Sequence, residues 1–250
     1  MFKRNIPNYI TLLNLFSGCI AVLFAVNGDF VGAAAFVALG IFFDFFDGLA
    51  ARSLGVSSKL GLELDSLADM VTSGVVPGIV MMKLLEESFT IYSGKLNMQP
   101  EDFMGDVFNY LPLVGFAVTL ASAYRLAKFN IDDRQTSSFI GLPTPANALL
   151  ILSIPLIIEY QETPALEGFL LNPWLLLGLT AFSSYILNAE LPLFALKFSK
   201  FSWKTQGYKL VFLVLCLILL GVLKFIAVPI IIIAYVLLSV VLNKLKLTRD

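Results

Sequence analysis

Long apolar runs broken by short polar or charged stretches dominate the chain. Eight runs have the length of bilayer-crossing helices or come close to it: about 9–26, 30–51, 61–85, 108–129, 145–160, 172–189, 208–223 and 225–243. A crossing helix needs roughly 20 mostly apolar residues. The fifth run is short. The last two are separated only by Lys224 and its neighbours, so they read as a tight hairpin or as one kinked element. Pro229 suits a helix start at that point. No stretch reads as a soluble domain, and no internal repeat marks a two-fold transporter. The pattern therefore predicts an all-α integral membrane protein with about eight spans. The opening "MFKRNIPNYITLL" places two cations before an apolar run, as a signal peptide does, but no cleavage site follows. An uncleaved first helix with a short interfacial lead is expected.

Composition reinforces this picture. The chain is 58% hydrophobic and 14% charged, where soluble chains carry about a quarter charged residues. A net charge of -1 argues against nucleic-acid binding. There is no histidine, which removes the usual general base near neutral pH and the commonest metal ligand. Cys19 and Cys216 lie far apart in apolar runs and read as small buried hydrophobes, not as a disulfide or a metal pair.

Charge placement sets the orientation, because cytoplasmic loops collect Lys and Arg. With a cytoplasmic N-terminus, that side gathers Lys3, Arg4, Arg52, Lys59, Arg125, Lys128, Arg134, Lys197, Lys200, Lys204, Lys209, Lys244, Lys246 and Arg249, fourteen of the 17 cations. The other side gathers Asp29, Glu86, Glu87, Glu101, Asp102, Asp106, Glu159, Glu162 and Glu167. Both termini are then cytoplasmic.

Against this apolar background, "FFDFFDGLAARSLGVSSKLGLELDSLADM" (42–70) carries Asp44, Asp47, Asp65 and Asp69. Spacings of three and four put each pair on one helix face. The short turn through Gly55, Val56, Ser57 and Ser58 lets the two acidic faces meet at the cytoplasmic end of spans two and three. Gly48 and Gly61 remove side chains beside the acids and admit another group. A lone charge at mid-membrane costs about 2.5–3.5 kcal/mol on insertion scales, and four carboxylates also repel one another. Arg52 and Lys59 are too few to neutralise them. Oxygen ligands without histidine suit Mg²⁺, Mn²⁺ or Ca²⁺. Two such ions about 3.5–4 Å apart would clamp a phosphoryl group. Spacing alone leaves an ion or proton pathway open.

The pattern Asp44, Asp47-Gly48, Ala51-Arg52, Gly61, Asp65, Asp69 resembles the signature of the CDP-alcohol phosphatidyltransferase family, with every fixed position present. The resemblance covers roughly the first 190 residues. It implies a six-helix core over 1–190, followed over 191–250 by a cytoplasmic linker and a C-terminal transmembrane hairpin. It implies transfer of a phosphatidyl or similar group from a CDP-linked donor to an alcohol, with release of CMP. Asp44, Asp47, Asp65 and Asp69 would bind two divalent ions, Mg²⁺ or Mn²⁺, and Asp69 would be the general base. Gly48, Arg52, Ser58 and Gly61 would line the donor site, joined by Asn8, Thr11 and Asn14 from "PNYITLLN". A homodimer in the cytoplasmic membrane, with its active site facing the cytoplasm, is also implied.

"SAYRLAKFN" (122–130) and "FIGLPTPANA" (139–148) are similar to the phosphatidylserine synthase branch, which joins CDP-diacylglycerol to L-serine. Arg125 and Lys128 are the candidate partners for the serine carboxylate. Pro143 and Pro145 read as a hinge into the next helix. A phosphorylated acceptor, glycerol phosphate or inositol phosphate, would call for a denser basic pocket. From a different class, a cation transporter using the aspartates is the alternative.

Overall fold

The structure is a computed structural model, and it describes residues 2–56, 58–96, 109–132, 139–161, 163–193 and 203–244. Ser57 and the loop charges Glu101, Asp102, Asp106, Arg134, Glu162, Lys197, Lys200, Lys246 and Arg249 lie outside them, as do the side chains of Lys3, Arg4, Lys204 and Lys244.

Helix α1 (Phe2–Val26) and helix α2 (Phe30–Leu54) form an antiparallel pair. Asp29 starts α2 by accepting the Gly32 N–H at 2.8 Å. Helix α3 (Lys59–Asp69) runs into a π-helical turn (Met70–Val75) and then α4 (Val76–Lys95). The sequence predicts one uninterrupted helix here, because π turns have no hydropathy signature. A 3₁₀ turn (Leu111–Phe116) leads into α5 (Ala117–Ile131). Next come strand β1 (Phe139–Ile140), α6 (Thr144–Tyr160), α7 (Pro164–Leu170), α8 (Pro173–Asn188) and strand β2 (Pro192–Leu193). The chain closes with α9 (Trp203–Leu223), a 3₁₀ turn (Lys224–Ile226) and α10 (Ala227–Lys244). The only strands among the described residues pair with each other, antiparallel, Phe139 opposite Leu193 and Ile140 opposite Pro192.

Helix α4 is the axis of the bundle. Its Val76, Val80, Met81, Leu84 and Leu85 are buried with Val37 of α2, Ile151 of α6 and Leu176 of α8. Apolar burial between helices gains little in lipid, so close approach depends on small residues. Gly115 shows this: a Cβ there would lie 2.5 Å from the Met82 backbone nitrogen.

Helices α9 and α10 are a hairpin, which resolves the ambiguity in the sequence. Phe212 and Tyr235 have ring centroids 6.0 Å apart, whereas a straight helix would separate them by about 34 Å. The turn is built at Lys224 (φ 49) and capped by Gln161. The Gln161 Nε2 donates to Leu223 O at 3.0 Å, and its Oε1 accepts the Ile226 N–H at 3.1 Å.

Every apolar run of the sequence lies on a helical segment. Four segments are long and apolar enough to cross a membrane: Asn5–Val26, Phe30–Leu54, Lys59–Lys95 and Lys209–Asn243, the last being the hairpin. They become five if α7 and α8, bent at 52°, are counted as one. Helices α5, α6 and α8 have 15, 17 and 16 residues, short for a core about 30 Å thick. The chain is thus a helical, multi-pass membrane protein. Both cysteines are free, but Cys19 is exposed on α1 and only Cys216 is partly covered. In a membrane helix an apolar residue can face lipid as well as the core, so hydrophobicity did not signal burial.

The Gly115 contact yields a prediction. Gly115→Ala should destabilise the protein in detergent by about 1–3 kcal/mol, the range for overpacking. Gly178→Ala, with nothing within 4 Å of its added Cβ, should not. Equal thermal midpoints for the two variants would show that the α4 contact is not close-packed.

Candidate active site

The acidic helices are brought together by a turn with identifiable stops. Gly55 ends α2 in the left-handed conformation (φ 63), where its N–H reaches the carbonyls of Ala51 and Arg52. Ser58 starts α3, and its Oγ accepts the Gly61 N–H at 2.9 Å. The chain reverses within four residues, so the acidic faces meet. Asp44, Asp47 and Asp65 each present a carboxylate oxygen, all within 4.8 Å of one another. Among the described residues the ion pairs are Lys83–Glu86 and Lys128–Glu190, and neither involves these aspartates. Arg52 and Lys59 therefore do not neutralise the cluster. Hard oxygen donors at this separation, with no cationic side chain, fit a divalent cation.

Helix α1 braces the acids from the other side. Thr11 Oγ1 lies 2.6 Å from Asp47 Oδ2 and 3.0 Å from Pro7 O, so one hydroxyl proton serves two acceptors. Asn14 is fully buried. Its Nδ2 donates to Asp69 Oδ1 at 3.3 Å, and its Oδ1 accepts from Thr72 Oγ1 at 2.8 Å. Thr72 belongs to the π turn and is seated between two glycines. A Cβ on Gly18 would be 2.5 Å from its Oγ1, and one on Gly40 would be 2.6 Å from its Cγ2.

Two pockets open on either side of the carboxylates, each of about 630 Å³ counting the part open to solvent. The first is lined by Pro7, Asn8, Thr11, Asp47, Gly48, Ala51, Val56, Ser58, Gly61, Leu62 and Asp65. The second is lined by Asp44, Asp65, Asp69, Arg125, Leu126, Phe129, Pro143, Thr144 and Pro145. Asp65 belongs to both, so the acidic cluster is the wall between them. Gly48 leaves the first pocket open, since the nearest atom to a Cβ there would be Arg52 Nη2 at 3.9 Å.

Of the residues the sequence assigns to the donor site, Asn8, Thr11, Gly48, Ser58 and Gly61 line the first pocket. Asn14 does not: it is buried behind the acids and bonded to Asp69. Arg52 is exposed at the last turn of α2 and is not among the lining residues. Of the acceptor pair, Arg125 faces the second pocket, while Lys128 points at Glu190, Nζ to Oε1 3.5 Å. Both also line a small third pocket with Ile140, Leu187 and Asn188, as residues three apart on one helix face can. Arg125 Nη1 donates to Ile140 O at 2.8 Å and Leu187 O at 3.4 Å. Sequence reasoning missed Thr72 and Thr144. Thr72 lies three residues after Asp69, on the same helix face, and that spacing was the available signal.

A helical membrane bundle with an acidic wall between two openings defines a candidate site for chemistry on charged substrates. The comparisons make the class specific: the chain matches the CDP-alcohol phosphatidyltransferase family over residues 4–185, and it belongs to that family. It is 36% identical over 154 residues to the CDP-diacylglycerol–serine O-phosphatidyltransferase of Bacillus subtilis (strain 168), covering 59% of this chain and 75% of that one. The protein so named in Helicobacter pylori (strain J99) is 30% identical over 220 residues, 85% of this chain and 80% of its own. The archaetidylserine synthase of Methanothermobacter thermautotrophicus is 31% identical over 163 residues, 64% of this chain and 61% of its own.

Because Asp65 lines both pockets, it is the carboxylate whose loss should disturb a cation most. Asp65→Asn should weaken Mn²⁺ binding to the purified protein by at least about tenfold, the lower figure for damage even to a metal's outer shell. Titration followed by the Mn²⁺ spin-resonance signal measures this. Unchanged affinity would take Asp65 out of any cation site.

Proposed function

We propose that this chain transfers the phosphatidyl group of CDP-diacylglycerol to the hydroxyl of L-serine, giving phosphatidylserine and CMP. The observation that carries the reading is the shared acidic wall, with Asp47 and Asp65 on one pocket and Asp44, Asp65 and Asp69 on the other. The acceptor hydroxyl and the leaving CMP would lie on opposite sides of the donor phosphorus, as an in-line displacement requires.

In this reading the first pocket holds the CDP end of the donor. Gly48 and Gly61 let its phosphates approach the helix backbones, and Asn8, Thr11 and Ser58 offer amide and hydroxyl groups. Divalent cations, Mg²⁺ or Mn²⁺ and on the family pattern two of them, would be held by Asp44, Asp47, Asp65 and Asp69 and supply positive charge to the diphosphate. The serine hydroxyl oxygen attacks phosphorus, the bond to CMP breaks, and the hydroxyl proton passes to Asp69. Asn14 orients that base by donating to Asp69 Oδ1, and Thr72 fixes which way the Asn14 amide faces. Asp69 lines only the second pocket, where the acceptor would lie.

Two features of the second pocket favour an acceptor that carries a carboxylate. Arg125 Nη1 is occupied by backbone carbonyls, which leaves the Nε and Nη2 donors of a buried guanidinium. Helix α6 begins at Thr144 on the pocket wall, and a helix N-terminus favours an anionic group. Arg125 is the only cation lining this pocket among the described residues, which suits one carboxylate better than the added phosphate of glycerol phosphate or inositol phosphate. Family membership argues against the cation-transport alternative.

We also infer eight crossings, with residues 1–190 as the core and both termini and the active site facing the cytoplasm. The α9–α10 hairpin adds an even number of crossings, and the loop charges of the sequence set the side. A homodimer is the assembly expected for the family.

Purified protein should release CMP from CDP-diacylglycerol when serine is added, lose that activity in EDTA, and regain it with Mg²⁺ or Mn²⁺. Asp69→Asn should lower turnover at least about 10²-fold, the lower range for a lost general base, while donor binding survives better. CMP release with glycerol phosphate and none with serine would overturn the acceptor. Activity after exhaustive chelation would overturn the metal assignment.

For topology, reporter tags at both termini should read cytoplasmic and a tag inserted within 97–105 should read outside. Termini on opposite sides would show that the hairpin does not cross twice.

A further inference from the structure

The C-terminal hairpin lies beyond the family match, which ends at residue 185. Its helix α10 nevertheless reaches the second pocket through a chain of contacts. Arg125 is 7% exposed, and a buried guanidinium is costly unless its N–H groups are met. Ile140 O is its nearest acceptor, at 2.8 Å. Ile140 lies in a strand of two residues, too short to hold its place alone. Its partner strand β2 fixes it: Ile140 pairs with Pro192, and the Gly141 N–H donates to Leu191 O at 2.9 Å. Gly141 is required at this junction, because with φ +75 a side chain would be strained and its Cβ would lie 2.5 Å from Leu187 O.

Helix α10 in turn fixes β2. Asn243 Nδ2 donates to Pro192 O. Leu193 of β2 and Leu142, two residues after β1, are buried in one cluster with Ile232 and Val236 of α10. Tyr235, on the same helix, packs against that cluster.

We propose that the C-terminal hairpin is a positioning element for the acceptor pocket: α10 clamps the β1–β2 ladder, the ladder presents the Ile140 carbonyl, and that carbonyl aims Arg125 at an acceptor carboxylate. The proposal rests on reading the second pocket as the acceptor site. Asn243 is a positioning residue that acts through Arg125. The hairpin thereby sets the preference for serine over an amino-alcohol without a carboxylate.

The test uses the full-length protein with Asn243→Leu, Arg125→Gln and the double variant, assayed with serine and with ethanolamine. Asn243→Leu should raise KM for serine about fivefold, the effect of one hydrogen bond, leave KM for CDP-diacylglycerol within about twofold, and narrow the discrimination against ethanolamine. Arg125→Gln should do the same more strongly. The double variant should be no worse than Arg125→Gln, because the two act in series. Val236→Ala, which loosens the packing of α10 on Leu142 and Leu193, is the second variant, with a smaller change in the same direction, and it decides the matter if Asn243→Leu does not fold. Serine KM unchanged in the folded hairpin variants, or losses that multiply in the double variant, would overturn the hairpin's role while the acceptor pocket stood. Serine KM unchanged in Arg125→Gln would overturn the pocket reading and the proposal with it.

Discussion

Carboxylates crowded together in a low-dielectric bundle repel one another and each loses hydration, and no lysine or arginine among the described residues compensates them. Every other feature near the site can be understood as holding that arrangement in place. Three oxygens within 4.8 Å are relieved by a bound cation or by protonation, and under the proposed function a divalent cation does so. This is the opposite of a structural ion pair, where the charges satisfy each other and the site is inert. A family that binds a diphosphate donor uses such a deficit well, because the same cation that relieves the acids attracts the substrate.

The holding devices are local and mostly small. Gly55 and Ser58 set the turn, and Thr11 and Asn14 contribute neutral donors to Asp47 and Asp69. Charged donors would have cancelled the deficit, and neutral ones preserve it. The π turn after Asp69 adds a residue to the ladder, and such turns recur at functional sites. Here it seats Thr72 between Gly18 and Gly40, where it meets the Asn14 amide. Replacing either glycine would press on Thr72 and, through Asn14, on the orientation of Asp69.

Much of this was legible in the sequence, and the reasons are physical. Hydropathy located the helical runs because lipid imposes apolarity over whole segments. The spacings Asp44–Asp47 and Asp65–Asp69 located the acidic face because helix periodicity is rigid. What escaped reading depends on contacts between distant segments. Asn14 sits beside the proposed donor residues in sequence, yet its side chain turns toward Asp69, one helical turn beyond Thr11. Lys128 resembles Arg125 on paper, yet it meets Glu190 from the chain beyond α8. The β1–β2 ladder joins residues 139–140 to 192–193, and two-residue strands are too short to leave an alternating pattern. Cys19 was misread because apolar segments in lipid do not distinguish inward from outward faces.

The two sides of the acidic wall are built differently, and the difference suits the donor and acceptor roles proposed for them. The first pocket is lined by α1, α2 and α3, which are adjacent in sequence and joined by short turns. Its geometry is fixed almost entirely by local rules, which is why its residues could be named from a motif. The second pocket draws Arg125 from α5 and Thr144 from α6, and Arg125 is held by carbonyls from β1 and from the end of α8. Its shape depends on long-range packing and, on the inference drawn above, on a hairpin outside the family core. A chemistry common to a family can reside in the local, motif-bound half, while the choice of acceptor resides in the half assembled from distant segments. Changes in peripheral helices can then alter the acceptor without touching the carboxylates proposed to perform the transfer.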